Sequence, residues 1–212
     1  MSARVSGMKY PVKRFKSLKV ALKELERFIR NGAHLQSGRP FKRFGGMRSR
    51  EVLANWLICV VFDAEAGSER FTFTSDPVGG DGIIHDGKTK ETWPTEHVMV
   101  PQARAGESID VEASILKAIK GKQKKGMAAY ASGKTLVVFS NAGGGARWFP
   151  NKVAKRLPAT DFAAIWVVGL HLVEDGQYIY SVSELDASNG TAPTWLVHVA
   201  KEFNSWVVQR FQ

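Results

Sequence analysis

Apolar residues at helical spacing predict the first regular element of the chain. Ser17 can cap a helix, and Asn31-Gly32 is a typical helix stop. Between them lies one apolar stripe, formed by Leu18, Ala21, Leu22, Leu25, Phe28 and Ile29. The opposite face is basic, with Lys19, Lys23, Arg27 and Arg30. We therefore expect this helix to pack by one side and to present positive charge on the other.

A second helix is predicted to begin at Ser49. Its segment EVLANWLICVVF is apolar on nearly all sides, which is typical of a helix buried in the core. The preceding loop, residues 38–46, is basic and contains Phe41 and Phe44. These two rings can stack on nucleobases, although a phenylalanine in a glycine-bounded loop more often packs into the core.

Three strands in a meander are predicted next. Residues 70–75 alternate between apolar and polar side chains, Ile83-Ile84 begins a second strand, and Glu96-His97 opens a third that continues over residues 98–100. Asp86-Gly87 is the turn dipeptide between the second and third strands. Residues 134–140 form a nearly continuous apolar run, which indicates a central strand buried on both faces.

A helix over residues 108–120 is predicted between the third strand and the central strand. Either Ser108 or Asp110 can cap it. The following GKQKKG segment either continues this helix or leaves it, since glycine in a helix interior costs about 1 kcal/mol.

The C-terminal third is predicted to contain a short helix and further strands. The helix spans residues 151–156, a hairpin joins residues 162–172 to 177–185, and one more strand covers 195–199. The sequence thus predicts a single α/β domain over residues 49–212, preceded by a basic N-terminal arm and helix over residues 1–48.

Charge is concentrated near the N-terminus. The formal net charge of the 212 residues is +10, and residues 1–50 hold 14 Lys and Arg against 2 Glu. This asymmetry favours binding to a polyanion, while a solubilising surface is the alternative. The lone Cys59 excludes an intrachain disulfide and a cysteine-based zinc site. No signal peptide or membrane span is evident, so we expect a cytoplasmic protein without a membrane partner.

The candidate chemistry lies in residues 79–100. If the hairpin loop is centred between Lys88 and Thr89, Asp81 lies opposite Glu96. Facing residues of an antiparallel pair have Cβ atoms roughly 5 Å apart, so two carboxylates there can share a divalent cation. Taken singly, Asp81 is an ordinary turn residue and Glu96 an ordinary strand residue. Glu51 either complements the N-terminus of its helix or points toward this pair.

His97 follows Glu96 directly in the third strand. In a regular strand its side chain points to the opposite face from Glu96, which favours a core or surface histidine over a metal ligand.

The predicted order of a helix, three strands, a helix and a strand, with carboxylates at the second and third strands, resembles the PD-(D/E)XK phosphodiesterase superfamily. The resemblance implies a restriction-endonuclease-like core with an added C-terminal β-hairpin and strand and a basic N-terminal helix. It also implies that Asp81, Glu96 and Glu51 bind Mg²⁺ or Mn²⁺, with Asp81 and Glu96 as catalytic residues.

The family lysine is absent from its usual position. Two residues after Glu96 the chain has Val98. In related families the lysine moves to the second helix of the core, where Lys122 and Lys124 are the candidates here. RecB-like members also carry a Gln and a Tyr on one helical face, and Gln123 and Tyr130 weakly resemble that pair.

The resemblance implies a metal-dependent nuclease that acts on nucleic-acid phosphodiesters, with DNA favoured over RNA and a homodimer as one assembly left open. The basic residues expected to grip the backbone are Lys13, Arg14, Lys16, Arg39, Lys42, Arg43 and Arg48. One alternative is a catalytically inactive nucleic-acid-binding module on the same fold. Another is a protein-interaction domain that uses exposed aromatics, including Trp148, Trp195 and Trp206.

Overall fold

The helices agree with the sequence pattern and add two short elements. In the computed structural model, the described residues are Phe15, 17–38, 40–102, 109–140 and 148–212. They contain a 3₁₀ turn at Lys42–Phe44 and five α-helices: α1 (Leu18–Arg30), α2 (Ala33–Ser37), α3 (Ser49–Ala66), α4 (Val111–Ala131) and α5 (Pro150–Arg156). The sequence pattern did not predict α2 or the 3₁₀ turn.

The strands form one mixed sheet whose spatial order follows the chain. They are β1 (Phe71–Thr74), β2 (Gly82–Asp86), β3 (Thr92–Val100), β4 (Thr135–Ser140), β5 (Ala164–Glu174), β6 (Gln177–Glu184), β7 (Thr194–Val199) and β8 (Trp206–Arg210). Strand β4 runs parallel to both β3 and β5, and every other pair is antiparallel. The two parallel connections contain α4 and α5, and a helix is the usual crossover between parallel strands.

The α/β class is as predicted, but the sheet is larger than the sequence indicated. The C-terminal part was expected to hold a hairpin and one strand. Two strands, β7 and β8, follow the β5–β6 hairpin instead. Strand β8 pairs with β7 through Val197↔Val208 and its neighbours, and it forms an edge of the sheet.

Two apolar clusters pack on opposite faces of the sheet. Helices α1 and α3 contribute to the larger cluster, which contains Trp56, Val137 and Phe139. Helix α4 contributes to the smaller one, which contains Leu136 and Val138. Successive residues of β4 thus point to alternate faces and are buried on both, as predicted for a central strand.

Helix α1 shares the core with α3. Every apolar residue of its predicted stripe is buried, and Trp56 Nε1 of α3 donates a hydrogen bond of 2.9 Å to the Leu18 carbonyl. Phe41 and Phe44 of the basic loop are also buried, so they pack into the core rather than being available to stack on bases. The N-terminal helix and its loop therefore stabilise the fold as well as carry charge.

Helix α4 extends beyond residue 120, where the shorter of the two predicted helices ends. The Asp110 side chain caps it by accepting a hydrogen bond of 2.9 Å from the Ala113 amide, and Ser108 lies outside the described residues. The helix continues through Gly121 to Ala131, so the GKQKKG segment is helical. This extension carries Lys122 and Tyr130 to the sheet.

Candidate functional site

The register of the β2–β3 hairpin agrees with the predicted pairing. Gly82 pairs with Thr95, and continuing this register puts Asp81 opposite Glu96. The Asp81 amide donates a hydrogen bond of 3.2 Å to the Thr95 carbonyl. Its carboxylate oxygen Oδ2 accepts a hydrogen bond of 2.7 Å from the His97 amide. The side chain of Asp81 is 31% exposed, so this carboxylate is fixed at one oxygen and open to solvent.

Glu96 is a buried carboxylate surrounded by donors. Its oxygen Oε1 lies 2.8 Å from Lys134 Nζ, and Oε2 lies 3.1 Å from Lys122 Nζ. The Tyr130 hydroxyl donates a further hydrogen bond to Oε2. Burial acts to raise the pKa of Glu96, but the hydrogen bonds from Lys134, Tyr130 and Lys122 outweigh it and lower the pKa. Glu96 is therefore held in its ionised form.

Lys122 connects the two carboxylates. Its ammonium contacts Glu96 and also lies 3.9 Å from Asp81 Oδ2. Burial acts to lower the pKa of Lys122, yet the hydrogen bonds with Tyr130 and Glu96 raise it overall. The ammonium thus occupies a position facing both carboxylates, as a bound cation would.

Tyr130 packs against both lysines. The ammonium of Lys134 lies 4.2 Å from the ring centroid and that of Lys122 lies 5.7 Å from it. Burial and the hydrogen bond with Glu96 raise the pKa of the Tyr130 phenol, so it remains a donor at neutral pH. Gln123, which the sequence paired with Tyr130, instead donates to the Ala159 carbonyl at 3.1 Å.

The structure distinguishes between the two candidate lysines of α4. Lys122 reaches the carboxylates, whereas Lys124 is exposed and makes no contact with them in the described part of the chain. Lys134 was not predicted as a site residue. It directly precedes β4, whose parallel pairing with β3 sets Thr135 beside Thr95. The signal in the sequence was its position at the start of the central strand, next to the strand that carries Glu96.

Glu51 lies in a different arrangement from the other two carboxylates. It is 4% exposed, and its Oε2 accepts a hydrogen bond of 2.8 Å from the Arg48 amide in a capping arrangement. Burial raises the pKa of Glu51, and the Asp81 charge adds to the rise. Among the described residues, no group of three or more His, Cys, Asp or Glu side chains could hold a metal ion. Glu51 of α3 thus interacts electrostatically with Asp81, but its carboxylate serves as a helix cap.

His97 points away from Glu96 to the α3 side of the sheet, as the strand alternation predicted. Its ring is buried, and Nε2 lies 3.3 Å from Thr95 Oγ1. Burial, together with the Lys122 charge, lowers the pKa of His97 to about 3, so the ring is neutral at physiological pH. Asn55 of α3 is buried nearby, close to Thr95, and neither polar atom of its side chain has a hydrogen-bond partner among the described residues.

The predicted backbone-binding residues are only partly described. Lys13, Arg14, Lys16 and Arg39 lie outside the described residues. Lys42 and Arg43 are exposed on the 3₁₀ turn, and Arg43 lies 3.4 Å from Glu24. Arg48, half of whose side chain is exposed, lies 3.7 Å from Glu51. The described basic residues therefore combine local ion pairs with solvent-facing charge.

We compared the chain with protein families, curated proteins and solved structures. No family model, curated protein or solved structure matches this chain. No helix in the described ranges has both the length and the apolar character needed to cross a membrane.

Proposed function

We propose that this chain is a metal-dependent nuclease of the PD-(D/E)XK type. The observation that carries the proposal is the convergence of Asp81 and Glu96, from neighbouring strands, on the single ammonium of Lys122. Two carboxylates can bind a divalent cation, and a lysine can stabilise the charge that develops on a phosphate during metal-assisted hydrolysis.

The order of elements supports the same proposal. Helix α3 is followed by the antiparallel strands β1, β2 and β3, then by α4 and by β4 parallel to β3. This is the order that the resemblance implies for a restriction-endonuclease-like core. The four strands β5 to β8 extend the sheet beyond that core.

The donor set fits a hard divalent cation such as Mg²⁺ or Mn²⁺. Asp81 and Glu96 supply carboxylate oxygens, which such ions prefer, and the Lys122 ammonium already faces both. Asp81 Oδ1 makes no hydrogen bond among the described residues, so it is available as a ligand. Asp81 and Glu96 would hold the ion, and Glu51 would add negative charge behind Asp81. When bound, the ion activates water and offsets charge on the phosphate.

The protein's own residues prepare this site. Lys134, which directly precedes β4, and Tyr130 of α4 fix the orientation of Glu96, because each bonds to one of its two oxygens. Lys122 supplies the positive charge that the family pattern puts two residues after the glutamate, where this chain has Val98. Released from Glu96, its ammonium can contact a phosphate oxygen and stabilise the charge that builds there.

A nucleic-acid-binding module without catalysis is the second candidate. One observation favours it: both oxygens of Glu96 are engaged by two ammonium groups and a phenol, so an ion must displace at least one donor. A protein-interaction surface of exposed tryptophans has less support. Trp195 is buried, and Trp148 and Trp206 are partly buried against the core clusters.

A cleavage assay separates these functions. The purified chain is incubated with plasmid DNA, linear DNA and RNA in Mg²⁺, in Mn²⁺ and in EDTA, beside an Asp81→Asn/Glu96→Gln variant. Asp161→Asn, which changes an exposed aspartate outside the site, is the matched control. We expect metal-dependent cleavage by the wild type and the control only. If the double variant cleaves as well as the wild type, the assignment of this site fails. If nothing is cleaved while binding persists, the enzyme proposal fails and the binding module is favoured.

A further inference from the structure

Arg50 is a half-buried cation that the proposed mechanism has not used. It lies in the first turn of α3, between Arg48 and Glu51 in sequence. Its side chain makes no hydrogen bond and no ion pair within the described ranges, although the side chain of nearby Arg48 pairs with Glu51. A guanidinium withdrawn from water without a carboxylate partner is costly to the fold, so an unpaired one suggests an external anion.

The position of the Arg50 guanidinium is set by Gly38. This residue ends α2 in the left-handed region, with φ of +64°, and a Cβ added there would collide with Nη1 of Arg50. The next nearest atoms, Cζ and Nη2, would lie 3.1 Å from that Cβ. The absence of a side chain at Gly38 therefore lets the guanidinium pack against the backbone turn.

The guanidinium of Arg50 interacts electrostatically with carboxylates of the candidate site. Asp81 and Glu51 both interact electrostatically with Arg50, and Arg50 in turn acts on His97, whose amide holds Asp81. Asp81 thus has Lys122 of α4 at 3.9 Å and the charge of Arg50 from α3. The residues that lead into α3 also lie close to the strand of Asp81, since a Cβ at Gly82 would lie 3.0 Å from Met47 Cε. An anion beside Asp81 would therefore be near cations from both helices.

We infer that Arg50 is a phosphate-binding residue of this site, contacting a nonbridging oxygen of a DNA phosphodiester next to Asp81. This inference rests on the proposed function and names the residue that recognises the substrate. Arginine suits the role, since its planar guanidinium can donate two parallel hydrogen bonds to phosphate. An exposed lysine without such packing would supply charge but not this orientation.

Binding measurements test Arg50 independently of cleavage. The full-length chain and its variants are titrated with a fluorescein-labelled DNA duplex in Ca²⁺, at several salt concentrations. We expect Arg50→Gln to weaken binding about 5- to 20-fold at 0.1 M salt and to reduce the slope of log K against log salt by about 0.9. Arg50→Lys should restore the slope but only part of the affinity. Arg210→Gln, which changes an exposed arginine on β8, is the matched control.

A glycine pair tests the packing of the guanidinium. Gly38→Ala should displace it and weaken DNA binding while the net charge is unchanged, whereas Gly32→Ala, where a Cβ would meet nothing within 4 Å, should not. Circular dichroism confirms that each variant is folded. Wild-type affinity and salt slope in Arg50→Gln would overturn the inference, as would an absence of DNA binding by the wild type. If Arg50→Gln weakens binding but the wild type cleaves nothing, Arg50 stands as a phosphate-binding residue and the enzyme proposal fails.

Discussion

Lys122 and Glu96 form an ion pair across the face of the sheet, with 3.1 Å between Nζ and Oε2. The pair joins the crossover helix α4 to the strand β3 that it follows in the chain. Because the Glu96 side chain is only 6% exposed and the Lys122 side chain 16%, solvent screens this pair weakly. The site and the packing of α4 therefore depend on the same contact.

Replacing Lys122 should separate the roles of the two candidate lysines of α4, Lys122 and Lys124. We expect Lys122→Met to reduce any metal-dependent cleavage at least 100-fold and to lower the free energy of unfolding by about 1 to 2 kcal/mol, since Lys134 and Tyr130 still compensate Glu96. Lys124→Met should change the free energy of unfolding by less than about 0.5 kcal/mol. Cleavage assays and urea titrations measure the two effects. Equal effects in both variants would contradict the assignment of Lys122.

Tyr130→Phe removes one donor from Glu96 without removing the ring. We expect the pKa of Glu96 to rise toward its ordinary value and the free energy of unfolding to fall by about 1 to 2 kcal/mol. Carbon NMR of labelled glutamate carboxyl groups follows the titration. Tyr178→Phe is the control, because its hydroxyl makes no hydrogen bond among the described residues. An unchanged Glu96 titration would show that the phenol does not stabilise the carboxylate.

Gly82→Ala should disturb the strand beside Asp81. A Cβ at this position would lie 2.5 Å from Asn55 Nδ2 and 3.0 Å from Thr95 Oγ1, so these buried side chains must move. We expect a loss of about 1 to 3 kcal/mol in the free energy of unfolding. Gly121→Ala in α4, where a Cβ would meet nothing within 4 Å, should instead stabilise the chain by about 0.5 to 1 kcal/mol. The opposite order of stabilities would refute this account.

His97 should make stability depend on pH. Its folded pKa of about 3 is below the ordinary value of 6.5, so the unfolded chain binds the proton more readily. The contribution of the neutral ring is complete above about pH 6.5 and is lost as pH falls toward 3. Between pH 7 and pH 5 we expect His97 to account for a loss of about 2 kcal/mol in the free energy of unfolding. His97→Gln should remove this part of the decline, and the exposed-residue control His171→Gln should retain it.

The basic loop can be tested by substitution rather than truncation. Deleting α1 would remove buried side chains of the core, so a loss of DNA binding in such a variant would be ambiguous. We expect Lys42→Gln/Arg43→Gln to weaken DNA binding at all sequences and to lower the salt slope by about 2. The matched doublet on α5, Lys155→Gln/Arg156→Gln, is the control. If both double variants show the same slope of log K against log salt, the basic loop is a solubilising surface and does not bind DNA.

Local patterns predicted the elements whose residues interact with near neighbours. The symmetry of the β2–β3 loop was enough to predict the register that sets Asp81 opposite Glu96, and strand alternation predicted that His97 faces the other side. The apolar character of α3 likewise predicted its burial. In each case the periodicity of a single element determines the direction of its side chains.

Contacts between distant segments were not predictable in the same way. Lys134 meets Glu96 only because β4 lies parallel to β3, and Tyr130 meets it only because α4 continues past Gly121. The cost of glycine in a helix argued for an earlier end, but packing of residues such as Ala131 in the smaller core cluster outweighs that cost. The pairing of β8 also depends on β7 rather than on a pattern of its own.

The crossover from β3 to β4 has a consequence for how the chain folds. The partners of Glu96 follow it by 26, 34 and 38 residues, so the β2–β3 hairpin alone cannot compensate this carboxylate. Parallel pairing of strands that are far apart in the chain is slow compared with formation of a local hairpin. A chain that emerges from the ribosome therefore exposes Glu96 to water until α4 has folded back and β4 has docked, and assembly of the charge cluster marks completion of the parallel part of the sheet.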